Sequence, residues 1–306
     1  MSKVVIVGTV ALDTIETPYG KLDRIIGGSG THSAMAASFF APVQIVSVVG
    51  NDFPQKHLDF LKGRDMDIAG IEIKKDEKTF HWEGFYELDM NQAHTRKTEL
   101  GVLATFDPKV PASYLDSEYL FLGNLDPDIQ LKVLKQMPKV KFTVLDSMNF
   151  WISSKRDQLL HVISQVDVFL LNDGEARQLT GTSNLVKAAK EILKLGCEYV
   201  IIKKGEHGAI LFHKNDIFAL PSLPLDEVID PTGAGDSFAG GFIGYLAYTN
   251  DISDTNLRKA IVAGSTMASF NVQEFSLNRV KDLKPNEIVE RFAQFEKLVS
   301  FELPAL

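Results

Sequence analysis

Six short runs of continuous apolar residues recur along this chain with helical stretches between them, and that alternation restricts the fold more than any other feature. The runs are residues 3–8, 44–49, 119–122, 141–145, 168–171 and 199–203. A strand that is apolar at every position cannot keep one face in water, so these strands belong to a sheet covered on both sides. The segments 31–40, 55–62, 128–136, 155–164 and 185–195 between them carry helical spacing. Strand, helix and strand in repetition imply right-handed βαβ units and a mostly parallel, doubly wound sheet. The last third changes character, with a hairpin at 209–212 and 217–220 followed by helices near 236–248, 256–270 and 285–298.

Two segments break the rhythm, at about 13–26 and 74–104. In the second, Phe80 and Trp82 alternate with His81 and Glu83, the period of a sheet with one covered face. A small separate β-sheet is expected from them, with a decorated edge of the main sheet as the alternative. At 306 residues and 45% hydrophobic content, residues 1–306 are expected to form one α/β unit with this accessory piece.

Charge and cysteine usage exclude several classes. A net charge of -8 argues against a surface that coats nucleic acid, so any phosphate must be bound locally. The single Cys197 rules out an intramolecular disulfide framework and suits a reducing cytoplasm. No secretory leader is expected at the start, where VVIVG reads as a strand. No apolar run approaches the ~20 residues that cross a bilayer, so no membrane partner is expected. There is no GxxxxGK[ST] loop, no protein-kinase HRD and DFG pair, and no HExxH or paired CxxC.

The most specific run is DPTGAGDSFAGGF, residues 230–242. Gly233, Ala234 and Gly235 leave the backbone bare, so successive amides can turn to one anion at a helix start. Asp236 follows directly, a base placed beside that anion; read alone, it is equally a helix cap. This run resembles the signature of the ribokinase-like (PfkB) family of carbohydrate and nucleoside kinases.

The resemblance covers most of the chain. It implies a ribokinase-like three-layer α/β/α fold whose small sheet acts as a lid. It implies transfer of the γ-phosphate of ATP to a primary hydroxyl, with Asp236 as base and the 233–235 amides as anion hole. GTVALD ends at Asp13, where the family places the carboxylate that accepts from vicinal sugar hydroxyls; from the residue alone, Asp13 is a turn or cap. GGSGTHSAMAA, residues 27–37, is similar to the Gly-Gly motif that opens a helix against the substrate, which implies acceptor contacts by Gly27, Gly28 and His32. Here the chain departs from the pattern. Members usually carry Asn at the position of His32, and ribokinase carries Lys at that of Ser29.

NDGEARQLTG looks like the family's Asn-x-x-Glu motif, implying that Asn172 and Glu175 hold magnesium through water, with helix capping as the plain alternative. IIKKGEHGA resembles the strand and turn beside the nucleotide, with Lys203, Gly205 and Gly208, and is an ordinary hairpin otherwise. Some members use a monovalent cation such as potassium, for which Asp230 and Thr232 could supply oxygens. Pairing of lids implies a homodimer, since Phe80, Trp82, Phe85 and Tyr86 would be costly to expose together. Asp13 offers one carboxylate for a ribose diol, and His32, Phe80, Trp82 and Phe85 offer flat walls. That combination favours a nucleoside acceptor, with a free sugar second and a non-catalytic binding protein as a distant third.

Overall fold

The structure is a computed structural model that describes residues 2–214 and 216–302. Met1, Asn215 and residues 303–306 of the expected 1–306 unit lie outside the described residues. Nine strands form the main sheet: β1 Val4–Val7, β4 Val43–Val49, β5 Asp67–Ile73, β8 Tyr119–Leu122, β9 Phe142–Asp146, β10 Val168–Asn172, β11 Tyr199–Lys203, β12 Ala209–His213 and β13 Asp216–Leu220. Their order is β13-β12-β11-β10-β9-β8-β1-β4-β5. All neighbours pair in parallel except β11 with β12 and β12 with β13. The six apolar runs are the six central strands. Every residue of β1, β4, β8 and β9 is buried, which is why those segments show no alternation.

Helices cover both faces. One face carries α1 Ser29–Ala37, α2 Gln55–Gly63, α8 Ala234–Thr249, α9 Asp254–Asn271, α10 Asn278–Lys281 and α11 Pro285–Val299. The other carries α3 Pro127–Gln136, α4 Asn149–Ser154, α5 Arg156–Ile163, α6 Asp173–Thr180 and α7 Leu185–Leu193. Each layer encloses its own core. Ile6, Ile45, Phe121 and Phe242 sit in the first, and Val5, Val7, Leu120 and Phe169 in the second. Alternate residues of β1 thus serve opposite cores.

β5 has no counterpart among the expected strands. It is the sheet's edge, half exposed and joined to β4 through an irregular register, so it lacks the continuous apolar run that marks the central strands.

The two segments that break the rhythm do pair with each other. β2 Ala11–Thr17, β3 Gly20–Gly27, β6 His81–Tyr86 and β7 Ala93–Glu99 form a separate four-stranded sheet in the order β3-β2-β6-β7. β2 lies parallel to β6, with Asp13 opposite Trp82. Among the described residues no helix is long and apolar enough to cross a membrane.

Candidate active site

In an open parallel sheet the carboxyl ends of the strands form the natural crevice, and the charged groups of this chain collect there. Asp146 ends β9, Asn172 ends β10 and Lys203 ends β11, with Asn172 and Lys203 in register. Lys203 Nζ lies 2.7 Å from Asp146 Oδ2; the carboxylate is buried and the lysine half-buried. Burial pushes Asp146 up to about 6 although Lys203 pulls it down. Burial also acts to lower Lys203, but Asp146 and Glu175 outweigh it and hold the ammonium above its ordinary range. The lysine is therefore a fixed positive charge.

The 230–242 run meets this charge. α8 begins at Ala234, so Ala234 and Gly235 already form its first turn, and only Gly233 precedes it, with a φ of 76° that suits glycine alone. The amide of Ala234 donates to Pro231 O at 3.1 Å. The amides of Gly233, Gly235 and Asp236 have no protein acceptor among the described residues, so three donors are free at the start of α8. A side chain at Gly235 would start 3.0 Å from Lys203 Nζ, which places the ammonium against the same turn. Asp236 is half-buried and makes no hydrogen bond among the described residues. Burial raises its pKa, and Lys203 counteracts.

Asp13 lies near this turn, close enough to feel the charges of Asp230 and Asp236. Its Oδ2 accepts from the amide of Gly28 at 3.2 Å, while Oδ1 is buried without a partner. Burial, reinforced by Asp230 and Asp236, pushes its pKa up to about 7. Gly27 closes β3 opposite Ala11, which brings the Gly-Gly pair beside Asp13. Tyr86, at the end of β6, accepts from Thr232 Oγ1 at 3.2 Å and so ties the smaller sheet to the anion turn. Its hydroxyl is raised by burial and feels Asp230, Asp13 and Asp236. Asp13, Asp230 and Asp236 therefore lie close enough to act on one hydroxyl.

A family model described as "pfkB family carbohydrate kinase" matches residues 1–282. The chain belongs to that family. It is 32% identical over 249 residues to a cytidine kinase of Thermococcus kodakarensis, covering 79% of this chain and 88% of the relative. The solved nucleoside kinase of Methanocaldococcus jannaschii superposes with a TM-score of 0.74 at 22% identity, covering 96% of this chain and 99% of that one. The ribokinase of Giardia lamblia superposes with a TM-score of 0.80 at 16% identity, covering 96% and 99%. The fold is ribokinase-like, and as a PfkB member the protein is a phosphotransferase acting on a hydroxyl group.

Other expected site residues of this PfkB chain have partners of their own. Asn172 and Glu175 form a reciprocal capping box at the start of α6, Asn172 N donating to Glu175 Oε2 at 2.7 Å and Glu175 N to Asn172 Oδ1 at 2.8 Å. Burial and nearby Asp146 push Glu175 up to about 7. Gly205 and Gly208 flank the 3-10 turn Gly205–His207 between β11 and β12, where the amide of Lys204 donates to Gly208 O at 2.7 Å. Asp230 is fully buried, with Oδ1 accepting from Thr232 N and Oδ2 from Ser276 N. His32, expected beside the acceptor, is 1% exposed and faces Gly233 and Asn271 instead. Phe85 stacks on His94 at 4.9 Å and lies under Arg96, so it packs the smaller sheet internally. Cys197 is buried, its thiol pushed up to about 12, and serves packing.

Two residues, Asp146 and Asn271, escaped the sequence reading, and Tyr86 entered it only as a lid aromatic. Asp146 had a signal, a carboxylate at the end of an apolar strand where α/β sheets bind ligands. Tyr86 and Asn271 had none, because their roles depend on contacts across 146 and 239 positions of chain.

Proposed function

We propose that this kinase transfers the γ-phosphate of ATP to the 5′-hydroxyl of a nucleoside. The observation that carries the reading is the single free carboxylate oxygen of Asp13, with Ser29 engaged inside the protein. Ser29 Oγ is taken up by Thr9, accepting from its amide at 3.1 Å, and His32 by Asn271. Ser29 therefore offers no free hydroxyl to the rim of a sugar, and of the His32 ring only Nε2 stays unpartnered. What remains is one unpartnered carboxylate oxygen on Asp13, enough for a ribose diol. The half-buried Trp82 stands opposite it, held by a 3.1 Å bond from its indole to Thr95. An aromatic face beside a diol site suits a base, at about 1–3 kcal/mol per stacked base. The cytidine kinase likeness supports the same choice.

In this reading Asp236 takes the hydroxyl proton as the oxygen attacks in line, and the free amides of the turn stabilise charge on the transferring phosphoryl. Lys203, braced by Asp146, faces the same charge. Magnesium, held beside Asn172 and Glu175, would offset the charge of the phosphates. Among the described residues no three His, Cys, Asp or Glu side chains converge on one point. The ion would therefore arrive with the nucleotide, beside Asn172 and Glu175. A potassium ion would have to share oxygens of Asp230 and Thr232 that already serve Thr232 N, Ser276 N and Tyr86, so no step is assigned to it. The smaller sheet acts as a lid that excludes water. A homodimer through that sheet is supported by exposed Tyr19, Leu88 and Leu100; sedimentation at micromolar concentration showing monomer alone would refute it. One buried cysteine suits a cytoplasmic setting.

An ADP-release screen over nucleosides, pentoses, hexoses and sugar acids tests the acceptor. Nucleosides should give the highest kcat/KM, and chelation of magnesium should abolish turnover. A free sugar turned over far better than any nucleoside would overturn the choice and leave the kinase intact. Binding without turnover across the panel would favour a sensor.

The Asp13 carboxylate adds a pH dependence. A group near 7 is roughly one-tenth ionised at about pH 6 and nine-tenths at about pH 8. Only the anion accepts both hydroxyls, so acceptor KM should fall as pH rises across that window. The sign for stability is opposite, because a raised carboxylate favours the folded state below its unfolded pKa and loses that contribution as pH rises through 7. A flat acceptor KM between those pH values would remove Asp13 from the diol site.

A further inference from the structure

Beneath the 233–235 turn lies a polar network that links both sides of the cleft. Asn271, fully buried at the end of α9, donates from Nδ2 to the carbonyl of Thr232 at 2.8 Å. A carbonyl can only accept, so that bond decides which end of the amide is nitrogen. Oδ1 then faces Ser237 Oγ at 3.0 Å and His32 Nδ1 at 2.9 Å. An amide oxygen cannot donate, so His32 carries its proton on Nδ1. Burial lowers its pKa against the pull of Asp230 and keeps the ring neutral. Nε2 is left as a bare lone pair, buried without a partner. The ring also acts sterically. A side chain on Gly233 would start 2.3 Å from His32 Cγ, so the imidazole presses on the bare Cα of the residue that turns the chain into α8.

His32 stands on α1, and the residue before α1 is Gly28, whose amide holds Asp13. One short helix thus touches the acceptor carboxylate at its start and the anion turn one turn later. We infer that His32 is a positioning residue for phosphoryl transfer, clamping the Gly233 turn as its Nδ1–H tautomer and setting that turn's place relative to an acceptor at Asp13. This rests on the reading of residues 233–235 as the anion hole. A displacement of about 1 Å in such a relation can cost ~10²-fold in rate without weakening binding.

The test is His32→Ala, with kcat and both KM values measured and thermal unfolding as a check on the fold. The expected result is a kcat loss of about 30-fold or more with both KM values within about threefold of wild type. A rise in acceptor KM above about tenfold with kcat retained would make His32 an acceptor contact and overturn the clamp. Unchanged kinetics would overturn it too. Nitrogen-15 NMR of the wild-type histidines reads the tautomer directly: a neutral ring protonated at Nδ1 is expected, and a charged ring or an Nε2–H tautomer sinks the inference. Should His32→Ala not fold, Ser237→Ala removes one donor to Asn271; a severalfold kcat loss is expected, and none would count against the clamp. If Asp236→Asn retains turnover, the anion-hole reading fails instead. An inactive Asp236→Asn beside an unaffected His32→Ala sinks the clamp alone.

Discussion

Asp236→Asn is expected to lower kcat by ~10²–10⁴ while leaving ATP affinity nearly intact. The substitution keeps the shape of the side chain and removes its basicity. Asp236 stands in the first turn of α8 with no hydrogen bond among the described residues, so little of the fold depends on it. Its charge at a helix start contributes only about 0.3–1 kcal/mol. Burial raises its pKa, with Lys203 limiting the rise, and a carboxylate so raised is a stronger base than one in water. Steady-state rates at saturating acceptor, with calorimetric titration of ATP, decide the matter. Turnover above about one-tenth of wild type would show that another group takes the proton, since a positioned base is expected to contribute at least a hundredfold.

Lys203→Met should cost ~10²–10³ in kcat, comparable to the loss of an anion-hole donor, and unlike Asp236→Asn it should also raise the KM for ATP. The ammonium lies 2.7 Å from Asp146 and against Gly235, so it meets phosphate in both ground and transition states. Stability should change as well, because breaking a buried pair costs about 3–5 kcal/mol when the remaining charge cannot escape. Here it can escape by protonation. Asp146 already lies at about 6 and Glu175 at about 7, and without Lys203 both rise further. A raised carboxylate contributes stability below its unfolded pKa and loses it as pH rises through the folded value. The variant's deficit should therefore be small in mild acid and larger above neutrality. Thermal unfolding followed across that range checks the trend, and a deficit that grows toward acid would contradict the buried-pair account.

The primary structure by itself determined the parallel sheet, the helices between its strands and the small-residue turn at the start of α8. Those features depend on local pattern: a strand buried on both faces must be apolar throughout, and an anion turn must be small-residued at its helix start. Edge strand β5 was not legible because half its residues face water and the pattern dissolves. Asp13 and Asp236 became candidates only through the resemblance to PfkB kinases, since from the residues alone each is equally a turn or cap. Only the tertiary structure decided where His32 and Ser29 point, that Glu175 caps α6 through Asn172, and that Asp146 braces Lys203. Such assignments depend on which side chains meet across strands and helices far apart in the chain. An imidazole reads the same in sequence whether it borders a sugar or, as here, lies on the Cα of Gly233 and donates to Asn271.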